Sequence, residues 1–319
     1  MTDLLAPLDA HPEADRIRAR VVKDARASLI VEAGGLSGEA RDALEKSLRE
    51  AALAIDGIDE VQVALTAPRV QRKMVAIGSG KGGVGKSTLS ANLAVALAKK
   101  GVRVGLIDAD IYGPSQPRLL DAQRKPEARE KQLIPVTTRD GVKLLSVGQL
   151  VEADKALAWR GPMATGALTQ LIEADWGDTE LILVDLPPGT GDVQLTLVQK
   201  AKPQGALVVS TPQDLALIDA TRAIDLFEKT GVPVLGVVEN MAGYTCPHCG
   251  KDSDPFGQGG AEASAKRLRV PFLGRLPLSK SLREASDAGR PPAGGDGPAA
   301  DAFATLADAL VSQLETIAH

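Results

Sequence analysis

Cysteine is scarce in this chain. Of 319 residues only Cys246 and Cys249 are cysteines, and they stand together in Cys246-Pro-His-Cys249. A disulfide framework uses more cysteines, more widely spaced, so this is not a stapled secreted scaffold. Positive charge is not in excess either. The net charge of -4 gives no basic footprint for nucleic acid. No apolar run approaches the ~20 residues a membrane-spanning helix needs. The first residues include Asp3, Asp9, Glu13 and Asp15, which is unlike a secretory leader. The expectation is a cytoplasmic protein without nucleic-acid or membrane partners, folded as one large domain plus a small one.

What is present is organised around residues 75–88. A short apolar run, Val75-Ala-Ile77, leads into Gly80, Lys81, Gly82, Gly83, Val84, Gly85, Lys86, Ser87 and Thr88, followed by a helical pattern from Leu89 to Lys100. Read as Gly80-x-x-x-x-Gly85-Lys86-Ser87, this is a phosphate-binding P-loop in its required context of strand, turn and helix. The glycines let the backbone wrap an anion with N–H groups pointing inward. The helix start adds free donors and the positive end of its dipole. Lys86 is placed to bridge the outer phosphates, and the Ser87 hydroxyl to ligate Mg²⁺. The pattern implies nucleotide binding.

The chain then divides. Residues 1–68 read as a small α+β unit, with Ala27 to Val31 strand-like. Ser37 to Ala54 is predicted as a helix with Leu44, Leu48 and Leu53 sharing a face. Val61, Val63 and Leu65 alternate as in a half-buried strand. Residues 69–73 read as a polar linker. From residue 74 to 319 strand and helix signals alternate, which predicts an α/β domain with a mainly parallel, doubly wound sheet of the P-loop NTPase type. Val102 to Ile107 and Leu181 to Val184 are buried-type strands, each ending in a carboxylate. The charged stretch Asp121 to Lys131 reads as a solvated loop, and Ala164 to Ala174 as a helix. Asp214 is expected to cap a helix with Leu217, Ile218, Ala220 and Ile224 inward. A final helix, Ala299 to Ile317, is amphipathic through Phe303, Leu306, Leu310 and Leu314. Its acidic polar face, with Asp301, Asp308 and Glu315, is unsuited to a membrane surface.

Open α/β sheets place ligand chemistry at the carboxyl ends of their strands. Asp185 fits the second nucleotide motif, whose carboxylate holds Mg²⁺ through water. The loop Leu186-Pro-Pro-Gly-Thr-Gly-Asp192 looks like a nucleotide-sensing switch, with the Gly189 N–H offered to the terminal phosphate. Asp108 and Asp110 are candidates to orient the attacking water. Asn240, at a strand end, is placed to read an adenine edge. Cys246 and Cys249 form one edge of a metal or cluster site, but structural zinc and [4Fe–4S] sites both want about four ligands. A symmetric homodimer brings two pairs to its axis and completes the set. A redox Cys-x-x-Cys pair and a zinc knuckle using His248 stay open as alternatives.

Taken together, Gly80 to Ser87, Asp108-Ala-Asp-Ile-Tyr-Gly-Pro-Ser-Gln-Pro117, Trp159-Arg-Gly-Pro-Met163, Asp185 to Asp192, Val238-Glu-Asn-Met241, Cys246 to Cys249 and Phe256-Gly-Gln-Gly-Gly260 resemble the Mrp/ApbC family of iron–sulfur cluster carrier ATPases. These belong to the deviant P-loop ATPases of the MinD/ParA-like class. The resemblance runs from about Met74 to Arg283. It implies a homodimer that binds a [4Fe–4S] cluster between subunits, hydrolyses ATP slowly, and passes clusters from donors to apoproteins. It further implies that Lys81 reaches the partner's nucleotide, that Asp110 orients the water and Asp108 supports it near Mg²⁺. Pro277 and Leu278 would wall the base pocket. Residues 1–68 are similar to the second half of the small iron–sulfur-assembly domain of that family, without its usual Asp-Pro opening. The rival class is a MinD/ParA-like regulator whose cysteine pair binds zinc. A reductase like the nitrogenase iron protein is a third option, disfavoured because that group draws one cysteine from each of two loops.

Overall fold

The computed structural model describes residues 4–34, 36, 38–66, 72–129, 132–150 and 162–317. It divides into two compact units, Met1–Gln71 and Arg72–His319.

In the first unit, strands Ile17–Lys23 and Arg26–Glu32 form an antiparallel hairpin, and Glu60–Thr66 adds in parallel to the second. The hairpin loop is only Asp24 and Ala25, both at positive φ of 50° and 58°. That backbone matches the twist of the strands it joins. Helix Gly38–Leu53 packs its Leu44, Leu48 and Ala52 on Leu29 and Val31 of the sheet, with Leu5, Leu8 and Ile58 closing the core. Leu53 does not share this face and is 45% exposed. Nine residues separate it from Leu44, about two and a half helical turns, so it points the opposite way. Ala52 fills the position expected of it.

The second unit is a nine-stranded sheet. Seven strands run parallel, in the spatial order Phe272–Leu278, Val234–Thr245, Gly205–Ser210, Lys73–Gly78, Leu181–Asp185, Val104–Asp108 and Lys143–Ser146. Two short strands, Asp252–Ser253 and Val136–Thr137, pair antiparallel on opposite sides. The P-loop strand lies in the middle. The chain leaves it toward Val104–Asp108, returns between them as Leu181–Asp185, and crosses to Gly205–Ser210 on the other side. Side chains alternate between two cores, as a sheet buried on both faces requires. Val75, Ile77, Leu181 and Leu183 join a core with the P-loop helix Lys86–Lys99 and the final helix Pro298–Thr316. Ala76, Ile182 and Val184 join another with Leu168, Leu171, Trp176, Ile224 and Phe227. Phe303, Leu306, Leu310 and Leu314 of the final helix are all buried. On its polar side Asp308 pairs with Lys100 at 2.7 Å, so that helix is packed on the body.

Further expectations are corrected. Within Asp121 to Lys131, Glu127–Arg129 pairs with Gln132–Ile134 in a small hairpin. Strands of three residues, with Glu127–Arg129 exposed throughout, carry no periodicity that a sequence reveals. Gln213, not Asp214, takes the N-cap of helix Asp214–Lys229, and Asp214 is its first helical residue. Ile218 is 53% exposed, while Ala216, Ala220, Ala223, Ile224 and Phe227 are buried. Residues 67–71, covering most of the expected linker, and 159–161 of the Trp159–Met163 motif lie outside the described residues, and the strand already begins at Lys73.

Leu48→Ala is expected to destabilise the first unit by about 2–5 kcal/mol. Leu53→Ser should change it by less than about 0.5 kcal/mol. Denaturant unfolding of the two variants checks the reassigned helix face.

Candidate functional site

The central strand feeds the P-loop at the carboxyl edge of the sheet. Gly85 sits at φ 80°, and a Cβ on it would lie 2.2 Å from Asn240 Nδ2. A Cβ on Gly80 would lie 1.9 Å from the Asp219 carbonyl oxygen. Gly80 is thus required by the approach of a neighbouring backbone, and Gly85 by its left-handed φ and the Asn240 amide beside it. The loop and the start of helix Lys86–Lys99 enclose a cleft of about 200 Å³, lined by Ser79, Lys81, Gly82, Gly83, Val84, Gly85, Lys86, Ser87, Thr88, Asp110 and Pro188. Orphan N–H groups of the helix start, the Lys86 ammonium and the loop backbone make this a cradle for an anion.

Below the cleft lies a buried carboxylate cluster. Asp185 is fully buried. Its Oδ1 accepts from Lys86 Nζ and lies 3.1 Å from Ser90 Oγ. Its Oδ2 accepts from Gln116 Nε2 at 2.8 Å. Asp108 is its register partner on the adjacent strand and is also fully buried. Burial, then the charge of Asp185, push the Asp108 carboxyl up to about 7, against the pull of its donors. Those donors are the backbone N–H groups of Ser115 and Gln116, each at 3.0 Å, that of Asp110 at 3.2 Å, and the Ser146 hydroxyl at 3.0 Å. Asp108 therefore pins the loop 109–116 to the sheet. Asp110 faces the cleft. Burial raises its pKa, Lys86 opposes that, and its Oδ1 accepts from the N–H groups of Tyr112 and Gly113.

Other expected site residues have definite places. Gly189 stands at φ 100°, and its N–H donates to the Ser79 carbonyl at 3.0 Å. Meeting a phosphate requires it to exchange that bond. Asn240 Nδ2 donates to the Val84 carbonyl at 2.8 Å, so its amide braces the P-loop itself. Pro277 and Leu278 follow Leu276, the register partner of Asn240. They line a separate cavity of about 400 Å³ shared with Tyr244, Thr245 and Pro247.

Cys246 continues directly from strand Val234–Thr245, and Cys249 lies in the turn that returns as Asp252–Ser253. The turn is closed by Cys246 N–H to the Lys251 carbonyl at 3.0 Å and Gly250 N–H to the Cys246 carbonyl at 2.9 Å. Both thiols are free; Cys246 is half-buried and Cys249 exposed. The N–H groups of His248 and Cys249 lower the Cys246 thiol, which favours the thiolate that metals bind. Among the described residues no group of three or more His, Cys, Asp or Glu side chains is gathered to hold a metal ion. A site built on this pair must therefore take further ligands from elsewhere.

With this geometry in place, the model of the family described as ParA: NUBPL iron-transfer P-loop NTPase matches residues 70–311. The chain belongs to this family. It is 44% identical over 284 residues to an iron–sulfur cluster carrier protein of Deinococcus radiodurans, covering 85% of this chain and 81% of that one. Among solved structures it resembles the nucleotide-binding protein of Archaeoglobus fulgidus in complex with ADP, at 42% identity and a TM-score of 0.61, over 68% of this chain and 86% of that one. It also resembles the cell-division ATPase MinD of Pyrococcus furiosus, at 25% identity and a TM-score of 0.58, over 75% and 98%. The iron-transfer NTPase family accounts for the α/β fold and the ATPase class.

Two buried polar residues of this NTPase escaped the sequence reading. Glu239, fully buried, accepts from Gly259 N–H at 2.8 Å and Ala261 N–H at 2.7 Å, at the start of helix Gly260–Leu268. It ties the Phe256–Gly260 motif to the strand that carries Asn240. Its signal was a lone acid closing the apolar run Val234–Val238. The other is Gln116, whose partners only the fold brings near.

Gly85→Ala places a methyl at a left-handed φ against the Asn240 amide. It is expected to weaken ADP binding at least about tenfold, since left-handed backbone alone costs ~1–2 kcal/mol; titration with a fluorescent ADP analogue reads this. In Cys249→Ala, the Cys246 thiol keeps its backbone donors. Its iodoacetamide alkylation rate should reach half-maximum below pH ~8.5, the ordinary cysteine midpoint. A midpoint at or above that value would show that the turn does not favour the thiolate.

Proposed function

We propose that this NTPase is an ATP-hydrolysing carrier that assembles a [4Fe–4S] cluster on Cys246 and Cys249 of two copies and delivers it to apoproteins. One observation carries the reading. The strand Val234–Thr245 bears Asn240, bonded to the P-loop, and runs directly into Cys246. Nucleotide cradle and thiol pair therefore hang on one element. The carrier name of the Deinococcus relative supports the same output, and the half-set of thiols supports a homodimer as its form.

The residues fit a magnesium nucleotide. Ser87 and Asp185 are oxygen donors of the kind a hard cation takes, and beside them Gln116 Oε1 is a buried acceptor with no hydrogen-bond partner among the described residues. Mg²⁺ bound there would neutralise charge on the β- and γ-phosphoryl oxygens. Lys86 would hold the outer phosphates, leaving Asp185 to do so. Asp110, in the cleft wall, would orient the attacking water, and Lys81 would reach across to the nucleotide of the second copy. Asp108 keeps the Asp110 loop in place. Gly189 would trade its Ser79 carbonyl for the terminal phosphate, and Asn240, braced on the P-loop, would border the base. No helix among the described residues is long and apolar enough to cross a membrane.

Anaerobic reconstitution tests this reading. The dimer should take up about four iron and about four sulfide per two chains, with a thiolate-to-iron band. Cys249→Ala should lose the iron yet bind nucleotide as the parent does. Lys86→Ala should abolish hydrolysis and change cluster transfer to an apoprotein. Protein that takes up no iron, or a Cys249→Ala variant that keeps it, sinks the carrier assignment.

A further inference from the structure

Gln116 stands at the start of a one-turn helix, Gln116–Leu119, and is fully buried. Its side-chain Nε2 donates to Asp185 Oδ2 at 2.8 Å and to the Ser87 carbonyl at 2.9 Å. Its backbone N–H donates to Asp108 Oδ2 at 3.0 Å. One residue thus touches the strand-end carboxylate, the P-loop serine and the carboxylate that pins the neighbouring loop.

The orientation of this amide is dictated by its neighbours. Both groups within reach of Nε2 are acceptors, so turning the amide over would set Oε1 against a carboxylate and a carbonyl. Oε1 must face elsewhere, and no donor among the described residues meets it. The adjacent Ser115 Oγ is likewise buried without a partner. Buried acceptors are normally satisfied, and the nearby protein donor of most consequence, the Lys86 ammonium, is directed to Asp185. No bond joins Oε1 to the Ser115 hydroxyl either, which leaves the donors that water or a ligand brings. A hard cation held by the Ser87 hydroxyl keeps several of its waters, and such water is a strong donor.

We propose that Gln116 is a positioning residue of the metal shell: its Oε1 accepts a hydrogen bond from a water on the Mg²⁺ of the bound nucleotide, while its Nε2 fixes Asp185 and Ser87 on either side. The proposal rests on the magnesium-nucleotide reading of the cleft. It gives the Asp108–Pro117 motif a part in metal binding through a residue that is neither a carboxylate nor a P-loop member.

The test is a Mg²⁺ titration of the full-length protein carrying a fluorescent ADP analogue, with EDTA as the metal-free reference. Loss of an outer partner of a metal shell typically weakens metal affinity about 10–100-fold. Gln116→Leu should therefore raise the Mg²⁺ half-saturation by about that factor, and weaken nucleotide binding in Mg²⁺ by clearly more than it weakens binding in EDTA. Thermal unfolding without nucleotide reads the loss of the two Nε2 hydrogen bonds by itself. Equal weakening of Gln116→Leu with and without Mg²⁺ would make the residue merely structural and overturn the proposal. So would an unchanged half-saturation. Parent protein whose ADP binding ignores Mg²⁺ would overturn the magnesium site itself, and with it this inference.

Discussion

A carboxylate sealed from water governs the architecture of the site. Asp185 ends a strand whose five residues are all buried, and an uncompensated charge there would be strongly unfavourable. The surrounding chain is arranged to satisfy it. Lys86 arrives from the P-loop helix and Gln116 from the next loop along the sheet, with Ser90 beside them. The parallel register sets Asp108 directly beside it. Two like charges on neighbouring strands repel, which adds to burial in raising the Asp108 pKa. Four donors from the loop 110–116 and Ser146 gather on Asp108 in response. The loop carrying Asp110 is consequently fixed by the same electrostatic problem that draws Lys86 inward.

How far the sequence disclosed this depends on whether a residue's role is local. The P-loop was legible because its spacing encodes a backbone path, as the left-handed φ of Gly85 and the crowding at Gly80 bear out. The strand-end acids were legible because buried β runs are short, apolar and sharply ended. The final helix was legible through its regular apolar face. Leu53 and Ile218 were misplaced because apolar character alone does not fix a helix face. Gln116 and Glu239 were missed for a different reason. Their partners lie 69 and about 20 residues away in the chain, and no local pattern distinguishes a polar side chain that will meet such a partner from one that will meet water.

The strand Val234–Thr245 shows how two chemistries can share one support. Glu239 fastens it to the Gly260–Leu268 helix, and Asn240 fastens it to the P-loop. Immediately beyond, Met241 takes a φ of 61° and Gly243 one of 80°, and the register with Phe272–Leu278 shifts between Asn240 and Tyr244. The regular ladder therefore ends where the nucleotide side ends. A non-glycine residue in the left-handed region is costly and persists only where its surroundings hold it. Here the holding contacts belong to the P-loop and to the capped helix. Displacement of Val84 or Gly85 by a phosphate would act first on Asn240, at the edge of this irregular segment, and the thiol turn begins five residues after Met241. The Asn240 bond to the P-loop and the left-handed Met241 thus stand in sequence between the nucleotide cradle and the cysteine turn.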